Sequence, residues 1–316
     1  LVPFEDIDER ESPVGVYFKK WYRILNPRQL LLFATLIRLI REYSEKLRKE
    51  KDEEYTKAVA TYLAFVLGKH IDRNCRSTTW QRTAEKIASV LGKRRPSILW
   101  DHTEVNPFIR GSGTLIEMRK NMLQALKYSI DGTKHSKVVQ TLNKSITRLN
   151  GKYDLLVTDP PYFDDVQYAE LSEFFYVWEK RALKDFNLPE VERAEDLSVG
   201  GNRTKEYFEK LFGISCKKLN GLLTEEGILV MFFAHSSVDA WDFVVNALKK
   251  AGFRITQTWP VHTEKPGSLI TQGHYSIVSS IIITARKRKE GKTGYIEEIQ
   301  EEMERHLKKR LQEFWD

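Results

Sequence analysis

Near the middle of this 316-residue chain the sequence reads TDPPYFDDVQYAELSEFFYVW, from Thr158 to Trp178. An acid, two prolines and a tyrosine stand directly behind the apolar run Leu155, Leu156, Val157. The exocyclic amine of a nucleobase is a poor nucleophile, because its lone pair is delocalised into the ring. Hydrogen-bond acceptors aimed at its protons localise that pair for attack on a methyl donor. The Asp159 carboxylate and the Pro160 carbonyl are acceptors of this kind. Consecutive prolines, Pro160 and Pro161, stiffen the loop and remove competing N–H donors. Tyr162 offers an aromatic face to a base swung out of its stack. Asp159, Pro160, Pro161 and Tyr162 are therefore the expected catalytic set, for a direct transfer that needs no metal and no covalent enzyme intermediate.

Phe163 and Tyr168 follow closely enough to line a base pocket, and His235 ends a later apolar run as either a base contact or a satisfied structural histidine. Phe174, Phe175 and Trp178 recur at helical spacing and are expected in a core. Thr263 and Glu264 are candidates for the same cleft. The basic runs Lys93-Arg94-Arg95 and Arg286-Lys287-Arg288-Lys289 can hold phosphates or can simply be solvated surface. In VNPFIRGSGTL, Val105 to Leu115, the glycines Gly111 and Gly113 can let backbone amides approach a carboxylate. Asn106, Phe108, Gly111 and Gly113 are thus candidate cofactor-binding residues, with an ordinary loop as the alternative.

The elements that must position these residues fall into two kinds. LVPFEDIDERESPVG, at the start, has no periodicity and reads as a linker over residues 1–15. In NPRQLLLFATLIRLIREYSEKLRKEK, Asn26 is a natural N-cap and Pro27 a first helical residue, with Leu30, Phe33, Leu36, Ile37 and Ile40 on one face. A second helix is expected over Glu53 to Ile71 and a third near Trp80 to Leu91, which makes 16–95 a helical domain suited to target recognition. Beyond Pro96 the pattern changes. KVVQTLN, YDLLVTD and GILVMFFAHSS read as strands, and DAWDFVVNALKKAGF as an amphipathic helix ending at Gly252. RITQTWPVHTE and SIVSSIIITARKR read as two further strands joined without a helix. The expectation for 96–290 is an α/β domain whose sheet ends in an antiparallel hairpin. Asp159 then lies just beyond a strand's carboxyl end, where open α/β sheets place their ligands. The segment 291–316 is expected to be an amphipathic packing helix, with Ile296, Ile299, Met303, Leu307, Leu311 and Phe314 on its apolar stripe.

Composition narrows the class. Hydrophobic residues make up 41% and no apolar run approaches a membrane span. Cys75 and Cys216 are the only cysteines, which disfavours a disulfide framework and a Cys-rich zinc site and leaves a reducing cytoplasm as the expected compartment. There is no signal-peptide pattern at the start. A net charge of +7 and a pI near 9.1 suit a polyanionic partner such as nucleic acid.

The Asp-Pro-Pro-Tyr stretch resembles motif IV of the amino-methyltransferases, which methylate N6 of adenine, N4 of cytosine or, in some RNA enzymes, N2 of guanine. The elements after it resemble the second half of a class I methyltransferase, a Rossmann-like sheet. NPRQLLLFATLIRLI, WDHTEVNPF, TDPPYFDDVQYAELSEFFYVW, GILVMFFAHSSVDAWDFV and GFRITQTWPVHTE, between about residues 16 and 286, together resemble a family of archaeal and bacterial proteins described as adenine-specific DNA methylases containing a zinc ribbon. The resemblance implies S-adenosyl-L-methionine as cofactor, N6 of adenine as target and DNA rather than RNA as substrate. Two of the family's features have no counterpart in this sequence: a cofactor loop of Asp-Pro-Phe-x-Gly-x-Gly type and an upstream cysteine-rich ribbon. The chain resembles the carboxyl half, with the cofactor loop expected from a partner chain or an amino-terminal segment. VNPFIRGSG only imitates that loop, with one residue too many between Phe108 and Gly111 and Asn106 in place of Asp. A non-catalytic DNA-binding or specificity half remains the competing reading, and an RNA base methyltransferase a third.

Overall fold

The computed structural model describes residues 1–7, 13–93, 96–137, 139–161, 168–189, 197, 204–235, 237–262, 279–289 and 296–315. Two apolar cores organise them.

The first core is helical. A short helix α1 (Pro13–Phe18) leads to the long helices α2 (Pro27–Leu47) and α3 (Glu53–Ile71). Helix α2 starts where Asn26 predicts. Asn26 Oδ1 accepts from the Gln29 amide at 2.9 Å and Gln29 Oε1 accepts from the Asn26 amide at 3.0 Å, a complete capping box with Pro27 at the first turn. Asp52 caps α3 in the same manner. The buried face of α2 is Phe33, Ile37 and Ile40, and it meets Ala60, Ala64, Leu67 and Ile71 of α3. The small residues on α3 let the two helices approach closely. A third wall comes from far along the chain: α5 (Tyr168–Ala182) contributes Phe174, Val177 and Trp178. Phe33 lies 6.0 Å from Trp178 and Trp21 lies 6.0 Å from Phe174, ring centre to ring centre. Truncating Phe33 would cost about 3–5 kcal/mol on this packing.

The opening residues are part of this core rather than a bare linker. Ile7 is buried, and its amide donates to the Lys19 carbonyl at 2.8 Å. Glu5 forms ion pairs with Arg181 at 2.7 Å and Lys180 at 3.0 Å, tying the start of the chain to α5.

The segment expected as a third helix is instead a small antiparallel hairpin, β1 (Trp80–Gln81) and β2 (Lys86–Ile87), interspersed with 3-10 turns. Glu85 sits in the left-handed region at φ 46°, which a continuous helix does not allow. Hydrogen bonds from Ala88 to the Thr79 carbonyl and from Arg73 to the Ile87 carbonyl replace the helical ladder. Helix α4 (Leu115–Thr133) follows, with its N-terminus capped by Thr114.

The second core is a four-stranded mixed sheet with two helices on one face. Strand β3 (Tyr153–Thr158) pairs in parallel with β4 (Leu223–Phe233), which pairs antiparallel with β6 (Ser279–Lys287), and β6 pairs antiparallel with β5 (Phe253–His262). The order is β3-β4-β6-β5. Helix α6 (Lys205–Leu222) precedes β4 and α7 (Val238–Lys250) follows it. Phe208, Phe212 and Cys216 of α6 and Val244 and Leu248 of α7 bury the inward residues Leu229, Met231 and Phe233 of β4. Gly252 ends α7 at φ 87° and turns the chain into β5. Strands β5 and β6 pair antiparallel, as expected. KVVQTLN forms no regular element among its described residues, and Val139 is exposed. Helix α8 (Ile296–Trp315) forms as expected, with Ile299, Met303, Leu307 and Leu311 exposed. No helix among the described residues is long and apolar enough to cross a membrane.

Candidate functional site

The parallel register of β3 and β4 decides which residues share the site. Leu156 lies opposite Leu229, Val157 opposite Val230 and Thr158 opposite Met231. The two strands run in the same direction, so the turn after Thr158 and the turn after Phe233 leave the same edge of the sheet. The antiparallel pairing sets Phe233 opposite Ile281 and His262 opposite Ser279, so β5 ends on that edge too. Asp159, Pro160, Pro161 and His235 are thereby gathered at the carboxyl ends of adjacent strands, the place where α/β sheets bind ligands.

Asp159 is exposed and the two prolines are half-buried. Tyr162 and Phe163 lie outside the described residues, as do Thr263, Glu264, Arg94 and Arg95. Tyr168 opens α5 with its side chain partly exposed. Phe174 and Trp178 are core residues, and Phe175 packs half-buried beside them, as their helical spacing predicts.

His235 is held firmly. Its Nδ1 accepts from the Ser237 amide at 3.0 Å, which fixes the ring proton on Nε2. Its carbonyl accepts from Trp241 Nε1 at 2.9 Å, and its ring stacks on Phe233 with planes 16° apart. His235 is thus tied by hydrogen bonds to Ser237 and to Trp241 of α7.

One face of β3 is uncovered among the described residues. Leu155 is 56% exposed and Val157 61% exposed, beside Ile228, Val230 and Phe232 of β4 in register. Helices α6 and α7 cover only the other face, through Leu156, Leu229 and Met231. Parallel strands are ordinarily buried on both faces, and apolar edge strands are ordinarily paired. Neither condition is met by the described residues at β3.

The segment from Val105 to Leu115 is anchored on the helical core. His70, fully buried on α3, donates from Nδ1 to the Gly113 carbonyl at 3.0 Å and receives Asn74 Nδ2 at Nε2, 3.4 Å away. Asn74 Oδ1 also accepts from Gln29 Nε2 and from the Val105 amide. Burial pushes the His70 imidazole down to about 4, against which its bond to Gly113 works. Gly113 has φ 83°, and a Cβ there would lie 3.1 Å from Arg73 Cβ and 3.4 Å from Ile87 Cδ1. Gly113 is thus required by the protein's own packing. Thr114 accepts from the Glu117 amide and closes the N-terminus of α4. Asn106 Oδ1 accepts from the Phe108 amide at 3.0 Å, an Asx turn that leaves the Phe108 ring exposed. Around Gly111 the space is open, with only Thr114 Cγ2 near at 3.8 Å. Gly113 is thus taken up by the protein's own packing, while Gly111 and the Phe108 ring stand open to solvent.

Sequence reasoning did not single out His70, Asn74 and Gln29, the network that fixes the 105–114 loop. A histidine, asparagine and glutamine on apolar helix faces are its only local signal.

No protein-family model matches the chain, and no curated protein matches it. A solved structure from Thermus thermophilus, described as a candidate DNA modification methylase, resembles it at 15% identity and a TM-score of 0.27. The likeness covers 49% of this chain and 53% of the other, so the chain spans about half the length of that protein. A likeness so slight assigns neither fold nor function.

Proposed function

We propose that the protein is a methyltransferase acting on the exocyclic amine of a nucleobase, with N6 of adenine in DNA as the target and a Rossmann-like sheet as the scaffold. The observation that carries the reading is Asp159-Pro160-Pro161 at the carboxyl end of a parallel strand, with His235 on the same sheet edge. In this reading the Asp159 carboxylate accepts one N–H of the amine and the Pro160 carbonyl the other, which localises the nitrogen lone pair. The proline pair holds both acceptors without reorganisation. Tyr162, with Phe163 and Tyr168, stacks on and surrounds the base, and Nε2–H of His235 donates to a ring nitrogen or phosphate. S-adenosyl-L-methionine, when bound, supplies the electrophilic methyl group.

The cofactor pocket is assigned to a further segment or a partner chain that adds a strand to β3. The open apolar face of Leu155 and Val157 supports this assignment. That face also favours the second reading, a non-catalytic DNA-binding or specificity half that needs a separate cofactor-binding chain, while RNA is an alternative to DNA.

The test is methyl transfer from labelled adenosylmethionine to DNA and RNA oligonucleotides, with the product base identified by mass spectrometry. N6-methyladenine in DNA supports the reading, and methylated RNA alone moves the substrate. A protein that binds adenosylmethionine and the oligonucleotide yet methylates neither substrate contradicts it.

A further inference from the structure

Residues 73–120 are basic, with ten Lys or Arg against four Asp or Glu, a net +6. The same stretch displays large aromatic rings to solvent. Trp100 is fully exposed at 106%, and Trp80 is 53% exposed. Leaving an indole in water forfeits the burial that stabilises most tryptophans, so two on one basic stretch call for an occupant.

These rings stand on a rigid frame. The Thr103 amide donates to the Thr78 carbonyl at 3.0 Å, and Thr78 Oγ1 donates to the Thr103 carbonyl at 2.9 Å. Val105 is tied to Asn74 in the same sense, so the chain leading back to Trp100 runs alongside the chain leading forward to Trp80. Trp80 lies opposite Ile87 in the β1–β2 hairpin, and Ile87 packs on Gly113, which brings the 105–114 loop against the same hairpin. Arg82 and Lys86 are exposed on the hairpin and Arg110 on the loop. Of the nearby acids, Glu104 is neutralised by Arg28 at 2.7 Å, leaving Glu85 and Asp101 exposed.

We infer that the β1–β2 hairpin and the segment around Trp100 form a binding surface for single-stranded nucleic acid, separate from the Asp159 turn. Trp80 and Trp100 stack on unpaired bases, while Arg82, Lys86 and Arg110 hold the phosphates. Stacking accepts any base, because every base has a π face, and the cations track the backbone. The surface would keep a strand opened around the target from re-pairing. The inference rests on the proposed nucleic-acid substrate.

The test is fluorescence titration of the full chain with oligo(dT), following tryptophan quenching, beside anisotropy of the labelled oligonucleotide. The expected result is quenching with an affinity that falls as salt rises. Trp100→Ala and Trp80→Ala should each weaken binding by about five- to 150-fold. Arg82→Glu with Lys86→Glu, which leaves the aromatic rings intact, should weaken binding and flatten the salt dependence. Unchanged affinity in the folded tryptophan variants overturns the inference, as does equal affinity for duplex DNA. A dimer that dissociates on Trp100→Ala while oligo(dT) affinity holds also overturns it, by identifying a second copy as the occupant. Oligonucleotide binding through the tryptophans without methyl transfer by the protein would sustain this surface and remove the methyltransferase reading. Methyl transfer with unaltered binding in the variants would do the reverse.

Discussion

Asp159 and His235 leave the same edge of one sheet, from neighbouring parallel strands whose register sets Thr158 opposite Met231. The carboxylate follows β3 directly, and the imidazole follows β4 by two residues with its Nδ1 held by the Ser237 amide. Both residues thus lie just beyond the carboxyl ends of adjacent strands. His235→Ala should lower oligonucleotide affinity or turnover and should also loosen the start of α7. His235→Asn retains a side-chain acceptor for Ser237 but no Nε2–H. It should recover the thermal midpoint without recovering activity. Equal recovery of both would assign His235 to structure alone.

Strand β3 makes a prediction of opposite character. Leu155 and Val157 are exposed in the described chain, so Val157→Lys should change its stability by about 1 kcal/mol at most, as surface substitutions do. The same substitution should block addition of a strand-bearing cofactor segment, measured as loss of adenosylmethionine binding when that segment is supplied. A large loss of stability in the chain alone would show that something already covers this face.

His70 predicts acid sensitivity. Its folded value is depressed to about 4 from 6.5. Above pH 6.5 neither state is protonated there and the residue contributes no pH dependence. As pH falls below 6.5 the unfolded chain takes up a proton that the fold refuses, and stability is lost until about pH 4. The loss is on the order of 3 kcal/mol. Urea midpoints between pH 7 and 4 should fall for the parent and fall less for His70→Gln, which keeps a donor and an acceptor without titrating.

Glu179 acts in the other direction. Burial between α3 and α5 raises its carboxyl to about 7, and a Cβ on Gly68 would lie 2.7 Å from its Oε1. The unfolded chain ionises near 4.5 and the fold resists until about 7, so stability declines over that interval as pH rises. Glu179→Gln should stabilise the protein by about 1–2 kcal/mol at pH 8 and by little at pH 4. Identical gains at both pH values would exclude ionisation as the cause.

Much of this architecture was legible because its signals are local. Asn26-Pro27 and the spacing of Phe33, Ile37 and Ile40 define α2, and the alternation around Leu229, Met231 and Phe233 defines β4. The segment from Trp80 to Leu91 misled because Trp80, Ala84, Ile87 and Leu91 imitate a helical period. Its conformation is decided by Thr78, Thr79 and Arg73, which the period does not include. Helix α5 was legible as a helix with a buried face, but not as a wall of the helical core, since its partners Phe33 and Trp21 lie more than a hundred residues earlier. The position of Asp159 and the prolines just past β3 was legible from the apolar run Leu155 to Val157 before them. The Gln29–Asn74–His70 network was not, because it exists only once α2, α3 and the 105–114 loop have met.

The most direct test of the Asp159 turn compares two oligonucleotides that differ at one base, adenine or purine, the second lacking only the exocyclic amine. The protein should bind the adenine strand at least about tenfold more tightly, the value of a hydrogen bond to a charged acceptor, and Asp159→Ala should remove the difference while oligo(dT) binding persists. Equal affinity of the parent protein for the two strands, or a preference that survives in Asp159→Ala, would contradict the assignment of this turn to an exocyclic amine.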